Sequence, residues 1–243
     1  RQQGSGSFMT SPILITGGAQ RLGLAIAKDL LAQQHKVIIT YRTEKPAVDE
    51  LNALGAVTIQ ADFATQEGVT ALISEVKRHT QHLRAVIHNA SDWDQEANAD
   101  DYNLLFQKMM QVHANTPYQL NLAFQNMLSS NDVVSDIIHM TDFVQIKGSK
   151  KHIAYAASKA ALHNLTLSFS ALLAPNVKVN SIAPALVMFN DHDSPTYRAK
   201  ALKKSLLEIC PGPQEAVKAV NYLLSSEYIT GQTLHLDGGR HLK

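Results

Sequence analysis

Short apolar runs rich in β-branched residues recur along this chain, and each of the first six is followed by a stretch with helical periodicity. The seven predicted strands are 12–16, 37–41, 56–60, 84–88, 133–140, 177–182 and 233–236. The predicted helices lie near 20–34, 47–54, 66–80, 101–129, 152–173 and 213–225. Apolar strands that alternate with helices indicate a parallel sheet covered on both faces. The sequence therefore predicts an α/β fold, a single doubly wound Rossmann-like domain with a mostly parallel seven-stranded sheet.

Charge and composition narrow the class of function. The 22 basic and 21 acidic residues leave a net charge of +1, and no basic stripe is present, so nucleic acid is not an expected partner. No apolar stretch approaches the roughly 18 residues that a membrane span needs. Residues 1–8 are rich in Gln, Gly and Ser and do not resemble a signal peptide. We interpret them as an expression remnant before a single domain at 9–243, and we expect a cytoplasmic enzyme.

Cysteine and histidine usage argues against metal or disulfide chemistry. The single cysteine, Cys210, precedes Pro211 and is expected to be a free structural thiol in a loop. The 11 histidines show no spacing typical of metal ligands, so no metal is predicted. His88 and His113 are interpreted as hydrogen-bonded interior groups and not as acid–base catalysts.

A glycine turn follows the first predicted strand. Gly17 and Gly23 lie where that strand passes into a helix, with Arg21 between them. Glycine is needed where a side chain would block the approach of a pyrophosphate to the backbone, and a helix N-terminus attracts that anion. The turn therefore predicts a dinucleotide site.

The end of the second predicted strand distinguishes the two nicotinamide cofactors. A carboxylate there would bind the adenosine ribose and repel a 2′-phosphate, but Arg42 occupies this place and the next acid is Glu44. Because a guanidinium binds phosphate through two bonds, NADPH is favoured over NADH. Asp62, after the third strand, either accepts a bond from the adenine amino group or caps a helix.

Tyr155 and Lys159 stand four residues apart within a predicted helix. Four residues make about one helical turn, so both side chains share one face. A lysine ammonium beside a phenol favours phenolate and lowers the phenol pKa, which makes a proton donor usable near neutral pH. Together with the glycine turn, the pair predicts a nicotinamide-dependent reductase.

Several ordered motifs resemble the short-chain dehydrogenase/reductase family from Pro12 to Gly239. The matching landmarks are Thr16-Gly17…Gly23, Asp62, Asn89-Ala90, Asn115, Tyr155-x-x-x-Lys159, Asn180 with Pro184, Tyr228-Ile229-Thr230-Gly231 and Asp237-Gly238-Gly239. The resemblance implies that Tyr155 donates a proton, that Lys159 binds the nicotinamide ribose, and that Asn115 holds a water in a proton relay. With the residues argued above, the expected cofactor site is Gly17, Arg21, Leu22, Gly23, Tyr41, Arg42, Thr43, Asp62, Phe63, Asn89, Ala90, Ser91, Tyr155, Lys159 and Pro184.

Departures from the family pattern point to one branch. The family's catalytic serine lies thirteen residues before the tyrosine, where this chain has Asp142. Arginine in the glycine turn, Asn-Ala-Ser at 89–91 and aspartate for serine occur together in the pteridine reductase branch, which this chain resembles. The resemblance implies that Trp93 sandwiches a pterin against nicotinamide. The expected substrate site is Arg21, Ser91, Trp93, Asp142, Tyr155 and Leu186.

Asp142 leaves two readings open. An ionised aspartate can only accept hydrogen bonds, which suits a substrate that presents N–H or receives a proton at a ring nitrogen. Its charge would raise the phenol pKa and oppose Lys159, whereas a protonated Asp142 would avoid that conflict. Asp142 is also placed to cap the segment that follows it.

The expected activity is hydride transfer from NADPH to the C=N bond of a 7,8-dihydropterin. One alternative is an NADPH-dependent carbonyl reductase acting on a 3-oxoacyl thioester or a sugar, which the missing serine disfavours. Another, of a different class, is a module that senses NADPH without turnover.

Further segments of the chain lead to predictions about a lid and about subunit assembly. Residues 185–212 contain a polar turn and then a helical stretch ending at Cys210, and we interpret this excursion as a lid over the substrate. The segments 101–129 and 152–173 match helices that family members pair between subunits, so the resemblance implies a homotetramer. The C-terminal Arg240-His241-Leu242 is expected near the site of a neighbouring subunit.

Overall fold

The architecture is a seven-stranded sheet with helices on both faces, seen in a computed structural model that describes residues 11–243. The predicted remnant at 1–8 lies outside the described residues. The sheet order is β3-β2-β1-β4-β5-β6-β7, and every neighbouring pair is parallel, so the predicted "mostly parallel" sheet is parallel throughout. The strands are β1 (Ile13–Thr16), β2 (Val37–Tyr41), β3 (Val57–Gln60), β4 (Ala85–His88), β5 (Ser135–Met140), β6 (Val177–Pro184) and β7 (Thr233–Leu236).

The helices divide between the two faces because alternate strand residues point to opposite sides of a sheet. In β1, Ile13 and Ile15 join a core with α1, α2 and α9, whereas Leu14 joins a core with α3, α5 and α7. All three side chains are fully buried, which explains why the strand is apolar at successive positions. The helices are α1 (Arg21–Ala32), α2 (Pro46–Ala53), α3 (Gln66–His79), α4 (Tyr102–Met110), α5 (Thr116–Ser129), α6 (Val144–Lys147), α7 (Ile153–Leu173), α8 (Pro195–Leu202) and α9 (Gln214–Ser225).

Strand order reverses beside β1, which pairs with β2 on one side and with β4 on the other. In open parallel sheets, ligands bind at the carboxyl ends of the strands next to such a reversal. The topology therefore places the glycine turn after β1 and the segment after β4 at the same ligand-binding edge.

Two predicted helical regions are more divided than expected. The segment 101–129 is α4, a π-helical turn at Gln111–Asn115, and α5. In the 185–212 excursion, α8 begins after the Ser194 hydroxyl, which caps the Tyr197 amide at 3.1 Å, and ends at Leu202. The prediction that this helix continues to Cys210 was wrong, because turns follow Lys203 and Glu208 has a positive φ of 53°.

No helix in residues 11–243 is both long and apolar enough to cross a membrane. Within the same range, no group of three or more His, Cys, Asp or Glu side chains is arranged to hold a metal ion.

Candidate active site

The glycine turn is packed so closely that its glycines are required. Gly17 has a φ of +65°, and a Cβ there would lie 2.8 Å from the Cα of Ala90. A Cβ on Gly23 would overlap the carbonyl oxygen of Gly17 and the side-chain amide of Asn89. Side chains at these two positions would therefore push α1 away from the end of β4.

Hydrogen bonds fix the same junction between β1 and β4. The Thr16 hydroxyl accepts from the backbone amides of Asn89 and Ala90 at 3.0 Å each, and the Asn89 side chain donates to the Gly17 carbonyl at 3.0 Å. These contacts hold the turn and the segment after β4 as one rigid unit. Through these contacts, Asn89 and Ala90 fix the backbone of the predicted cofactor site.

The N-terminus of α1 has no side-chain cap and no acid in its first turn. Its first amides therefore point toward the ligand-binding edge without an internal acceptor, as an anion site requires. The glycine cradle and the uncapped amides of the first turn fit a pyrophosphate.

Arg21, at the start of α1, contacts the excursion that we predicted to be a lid. Its guanidinium donates to the Asn190 side chain at 2.8 Å and to the carbonyls of Phe189 and Met188 at 3.4 Å. The backbone of Arg21 has a positive φ of 50°. The expected roles of Arg21 in the cofactor site and in the substrate site stay predictions, and its guanidinium in this structure binds the 188–190 segment.

Arg42 lies exposed just after β2, as expected for a phosphate ligand, and its guanidinium forms an ion pair with Asp92 at 3.1 Å. Asp92 also lies 3.4 Å from Lys108 and is only 18% exposed. Sequence reasoning missed Asp92, since no local pattern links a residue after β4 to one after β2. The pair orients the guanidinium at the edge of the sheet where the adenosine end of a dinucleotide would lie.

Several other predicted cofactor residues make contacts within the protein at the same edge of the sheet. The Asp62 carboxylate accepts from the Ala64 amide at 2.9 Å in the turn before α3, while Thr65 is the cap of α3. Phe63 is buried in the core, so only its backbone can face a cofactor. Tyr41 donates through its hydroxyl to Glu44 at 2.9 Å. Leu22 is half-buried, Thr43 is exposed, and Pro184 is buried at the end of β6.

Tyr155 and Asp142 form the central contact of the site. The Tyr155 hydroxyl donates to Oδ2 of Asp142 at 2.8 Å, and Oδ1 of Asp142 accepts from the Val144 amide at 2.9 Å. Asp142 therefore both caps the segment after β5 and binds the phenol. Both roles considered from sequence are present in one side chain.

The pKa of Tyr155 is the reverse of the sequence-based expectation. Burial raises it well above its ordinary value, and the adjacent Asp142 carboxylate raises it further by charge and by hydrogen bonding. A hydrogen bond from Ser91 acts in the opposite direction. The prediction that Lys159 makes the phenol acidic was wrong for this structure, because burial first and the Asp142 carboxylate second raise the phenol pKa.

Lys159 is almost completely buried on the same face of α7. Its ammonium donates to the carbonyl of Met140 at 3.0 Å and lies 5.7 Å from the centre of the Tyr155 ring. Burial lowers the pKa of Lys159 to about 8, although the Asp142 carboxylate acts to raise it. The Lys159 ammonium therefore lies beside the Tyr155–Asp142 pair, and its positive charge interacts favourably with the Asp142 carboxylate.

His113 orients Ser91 beside the phenol. The Asp92 amide donates to Nε2 of His113 at 3.1 Å, so Nδ1 carries the proton and donates to the Ser158 hydroxyl at 2.9 Å. Burial lowers the pKa of His113 to about 2, which keeps the ring neutral. The Ser91 hydroxyl oxygen also lies 2.8 Å from Nε2. The interior role expected for His113 is confirmed, and its ring links Ser91, Asp92 and Ser158.

Asn115 is not brought to the phenol. It is exposed at the end of the π-helical turn, and its side-chain amide donates to Gln111 at 2.6 Å. Among the residues described, it has no hydrogen bond with Tyr155, Lys159 or Asp142. The predicted relay through Asn115 stays a prediction.

Trp93 lies at the rim of the site and not within it. Its ring contacts the imidazole of His152, with centroids 4.5 Å apart and an angle of 47°, and 59% of the residue is exposed. The stacking of a pterin on Trp93 stays a prediction. Leu186 is half-buried on the other side, after β6.

A buried polar chain supports the floor of the site. His88 binds Asn121 at 2.6 Å, Asn121 donates to His139 at 3.0 Å, and His139 binds Thr166 at 2.8 Å. Burial lowers the pKa of His88 to about 4 and that of His139 well below its ordinary value. The chain is therefore neutral and joins β4, α5, β5 and α7 beneath Lys159, as expected for a hydrogen-bonded interior His88.

Comparison with known proteins identifies the family. The profile described as enoyl-(acyl carrier protein) reductase, of the short-chain dehydrogenase/reductase type, matches residues 17–241. The chain belongs to the short-chain dehydrogenase/reductase family. Its Tyr155-x-x-x-Lys159 pair on α7 and its glycine turn after β1 lie where the resemblance placed them.

Two curated members of this family are similar over nearly their whole length. Dihydromonapterin reductase of Citrobacter koseri is 52% identical over 233 residues, which cover 96% of this chain and 97% of that protein. Dihydromonapterin reductase of Escherichia coli O6:H1 is also 52% identical, over 239 residues that cover 98% and 100%.

A solved structure of the family has the same fold. FolM alternative dihydrofolate reductase 1 of Brucella canis, complexed with NADP, superposes with a TM-score of 0.87 at 28% identity and covers 98% of this chain and 96% of that one. The corresponding protein of Brucella suis, also in complex with NADP, gives 0.86 at 29% identity. The predicted Rossmann-like fold is therefore confirmed.

Proposed function

We propose that this chain is an oxidoreductase that reduces a 7,8-dihydropterin, with dihydromonapterin and dihydrofolate as substrates, to the tetrahydropterin at the expense of NADPH. The observation that carries the proposal is the carboxylate of Asp142, 2.8 Å from the Tyr155 hydroxyl, at the position of the family's serine. The names of the 52% identical relatives support the pterin substrate, and the NADP complexes of the structural neighbours support the cofactor.

The residues at the nucleotide edge fit NADPH. The glycine cradle and the uncapped amides of α1 would hold the pyrophosphate, Arg42 the 2′-phosphate, and Lys159 the nicotinamide ribose. When bound, NADPH supplies a hydride to the carbon of the pterin C=N bond. The protein must then deliver one proton to the ring nitrogen.

The Tyr155–Asp142 pair is the proton source. If Asp142 were ionised when the phenol gave up its proton, two anions would face each other at 2.8 Å, which like-charge repulsion strongly opposes. A proton from solvent must therefore enter the pair as the phenol proton passes to the ring nitrogen. The pair then keeps one shared proton and a single negative charge beside Lys159.

Carbonyl reduction is the less suitable reaction for this geometry. A serine donates a hydrogen bond to a carbonyl oxygen, whereas the ionised form of Asp142 can only accept. Both oxygens of Asp142 already bind donors, the Tyr155 hydroxyl and the Val144 amide. A ring nitrogen that must gain a proton suits this pair better.

The test is a comparison of substrates in one assay of NADPH consumption. Dihydromonapterin and dihydrofolate are expected to be turned over, while 3-oxoacyl and enoyl thioesters are expected to be consumed at least about 100-fold more slowly. A higher rate with a thioester than with any dihydropterin would refute the proposal. Binding of NADPH without turnover of any substrate would support a sensing module instead.

The assembly and location are part of the same proposal. An open groove of about 1230 Å³ lies along α4, α5 and α7, with Leu104, Phe106 and Tyr118 between 47% and 60% exposed on its walls. Pairing of these helices between subunits would cover this apolar surface, which favours a homotetramer. Light scattering coupled to gel filtration tests it, and a monomer would contradict it. We also propose a cytoplasmic location.

A further inference from the structure

Positive charge is concentrated in three segments around one side of the site. Residues 143–154, 194–207 and 238–243 together contain nine lysines and arginines and no aspartate or glutamate, although the whole chain carries 22 basic and 21 acidic residues. These segments are far apart in sequence. The fold brings parts of all three together next to Asp142.

Two of these segments, 143–154 and 238–243, meet at Phe143, which directly follows Asp142. The Arg240 guanidinium lies 4.6 Å from the centre of the Phe143 ring, and the Lys147 ammonium lies 5.6 Å from it. Phe143 is buried, and its amide donates to the Pro184 carbonyl at the end of β6. Arg240 therefore contacts the residue that follows Asp142, a predicted substrate contact.

A cavity of about 380 Å³ opens between this layer and the 185–212 excursion. Its walls include Leu186, the predicted substrate contact, together with Lys204 and Arg240. Partial burial lowers the pKa of Lys204, and the nearby charges of Arg240, Lys200 and Lys151 lower it further. These cations are thus close enough to repel one another.

The acids near the cavity are already engaged. Glu215 pairs with Lys218 at 2.8 Å, Glu208 lies 3.8 Å from Lys243, and Asp237 binds the His241 ring at 2.7 Å. Across residues 11–243, no carboxylate lies within ion-pair distance of Lys151, Lys200, Lys204 or Arg240. Of these cations, Lys204 and Arg240 line the cavity, together with the engaged acids Glu215 and Asp237. Cations without a carboxylate partner beside a predicted substrate residue are what an anionic ligand requires.

We propose that Lys204 and Arg240 form a binding site for an anionic tail on the pterin, so that carboxylates or a phosphate on the side chain of a dihydropterin add to its affinity. This inference rests on the proposed function and adds a substrate preference to it. The pterin ring would lie against Tyr155 and Asp142, and its side chain would pass Leu186 into the cavity. The two carboxylates of a glutamate-bearing tail, or a phosphate, would each match a lysine and a guanidinium.

Binding to the NADP-loaded protein tests the site independently of turnover. Calorimetry would compare dihydrofolate, a dihydropterin with a phosphorylated tail, and dihydrobiopterin, whose tail is uncharged. For wild type, raising the salt concentration is expected to weaken the binding of the charged ligands by about tenfold and to leave dihydrobiopterin unchanged. Equal salt dependence for all three ligands would overturn the proposal, whatever the variants do.

Substitution then identifies the residues. Lys204→Gln and Arg240→Gln are each expected to reduce the affinity for a charged ligand about 3- to 10-fold relative to dihydrobiopterin. Lys77→Gln, which removes an exposed cation on α3, is the matched control and should leave the ratio unchanged. A loss for dihydrofolate alone would assign a carboxylate site and a loss for the phosphorylated ligand alone a phosphate site. An unchanged ratio in both variants would contradict the proposal even if the enzyme reduces dihydropterins.

Discussion

Replacing Asp142 with asparagine removes the charge that faces Tyr155 and keeps the size of the side chain. The amide oxygen can still accept from Val144, so the segment after β5 should keep its conformation. The lost bond between the phenol and an ionised carboxylate, 2.8 Å long, contributes roughly 1.5–3 kcal/mol, or about 10- to 150-fold in rate if it acts fully in the transition state. An amide also cannot take up and release a proton, and loss of a general acid costs about 10²–10⁴-fold.

We therefore expect Asp142→Asn to lower kcat for a dihydropterin by about 10²–10⁴-fold, while NADPH binding changes little. The pKa of Tyr155 should fall, because both the charge and the hydrogen bond of Asp142 raise it. Steady-state NADPH consumption gives the first quantity, and a pH titration of isotopically labelled tyrosine rings by NMR gives the second. Asp132→Asn, at an exposed acid in the turn before β5, is the matched control. Wild-type kcat in the Asp142 variant would refute the role of the pair in proton transfer.

Three other perturbations test separate parts of the site. Arg42→Asp should weaken NADPH binding by at least about tenfold relative to NADH, measured by fluorescence titration, and an equal loss for both would remove Arg42 from the phosphate site. Trp93→Ala should raise the KM for a dihydropterin by roughly 3- to 10-fold with little change for NADPH, and an unchanged KM would show that the exposed indole does not stack on the substrate. Because burial lowers the pKa of Lys159 from 10.5 to about 8, the free enzyme should lose kcat/KM as pH rises through about 8 and the ammonium is lost. The contribution of this group to the free energy of unfolding should rise between about pH 8 and 10.5, since only the unfolded chain still binds the proton there. A pH–rate profile measures kcat/KM and denaturant titrations measure the free energy of unfolding, and a parallel fall of the two quantities would contradict this assignment.

Local pattern was sufficient for the strands and the glycine turn. Val37–Tyr41 begins and ends where its apolar run does, because an inner strand of a parallel sheet is buried on both faces. The edge strand Thr233–Leu236 also has its predicted bounds, although His235 is exposed. Gly17 and Gly23 were found because their requirement is local to the β1–α1 turn. The same holds for Tyr155 and Lys159, whose spacing alone places them on one face of α7.

Contacts between distant segments could not be predicted in this way. The pair of Arg42 with Asp92 joins residues 50 apart, and the contact of Arg21 with Asn190 joins residues 169 apart. The end of α8 at Leu202 likewise depends on packing of the following turns and not on helix propensity. Such contacts arise from the fold, which a single sequence read locally does not contain.

The phenol pKa shows how distance decides between competing charges. From sequence, the cation four residues away and the carboxylate thirteen residues away had opposite expected effects. In the structure, the Asp142 carboxylate binds the phenol oxygen at 2.8 Å, whereas the Lys159 ammonium binds the Met140 carbonyl. Burial raises the pKa of Tyr155 and this carboxylate raises it further, so we assign proton donation to the Tyr155–Asp142 pair.

The most direct test of the account follows the hydride itself. Dihydromonapterin would be incubated with the enzyme and NADPH deuterated at the transferred position, and the product analysed by mass spectrometry and NMR. The account predicts a tetrahydropterin with one deuterium on the carbon of the former C=N bond and a solvent proton on the nitrogen. A product without deuterium at that carbon, or no tetrahydropterin while a thioester is reduced, would contradict it.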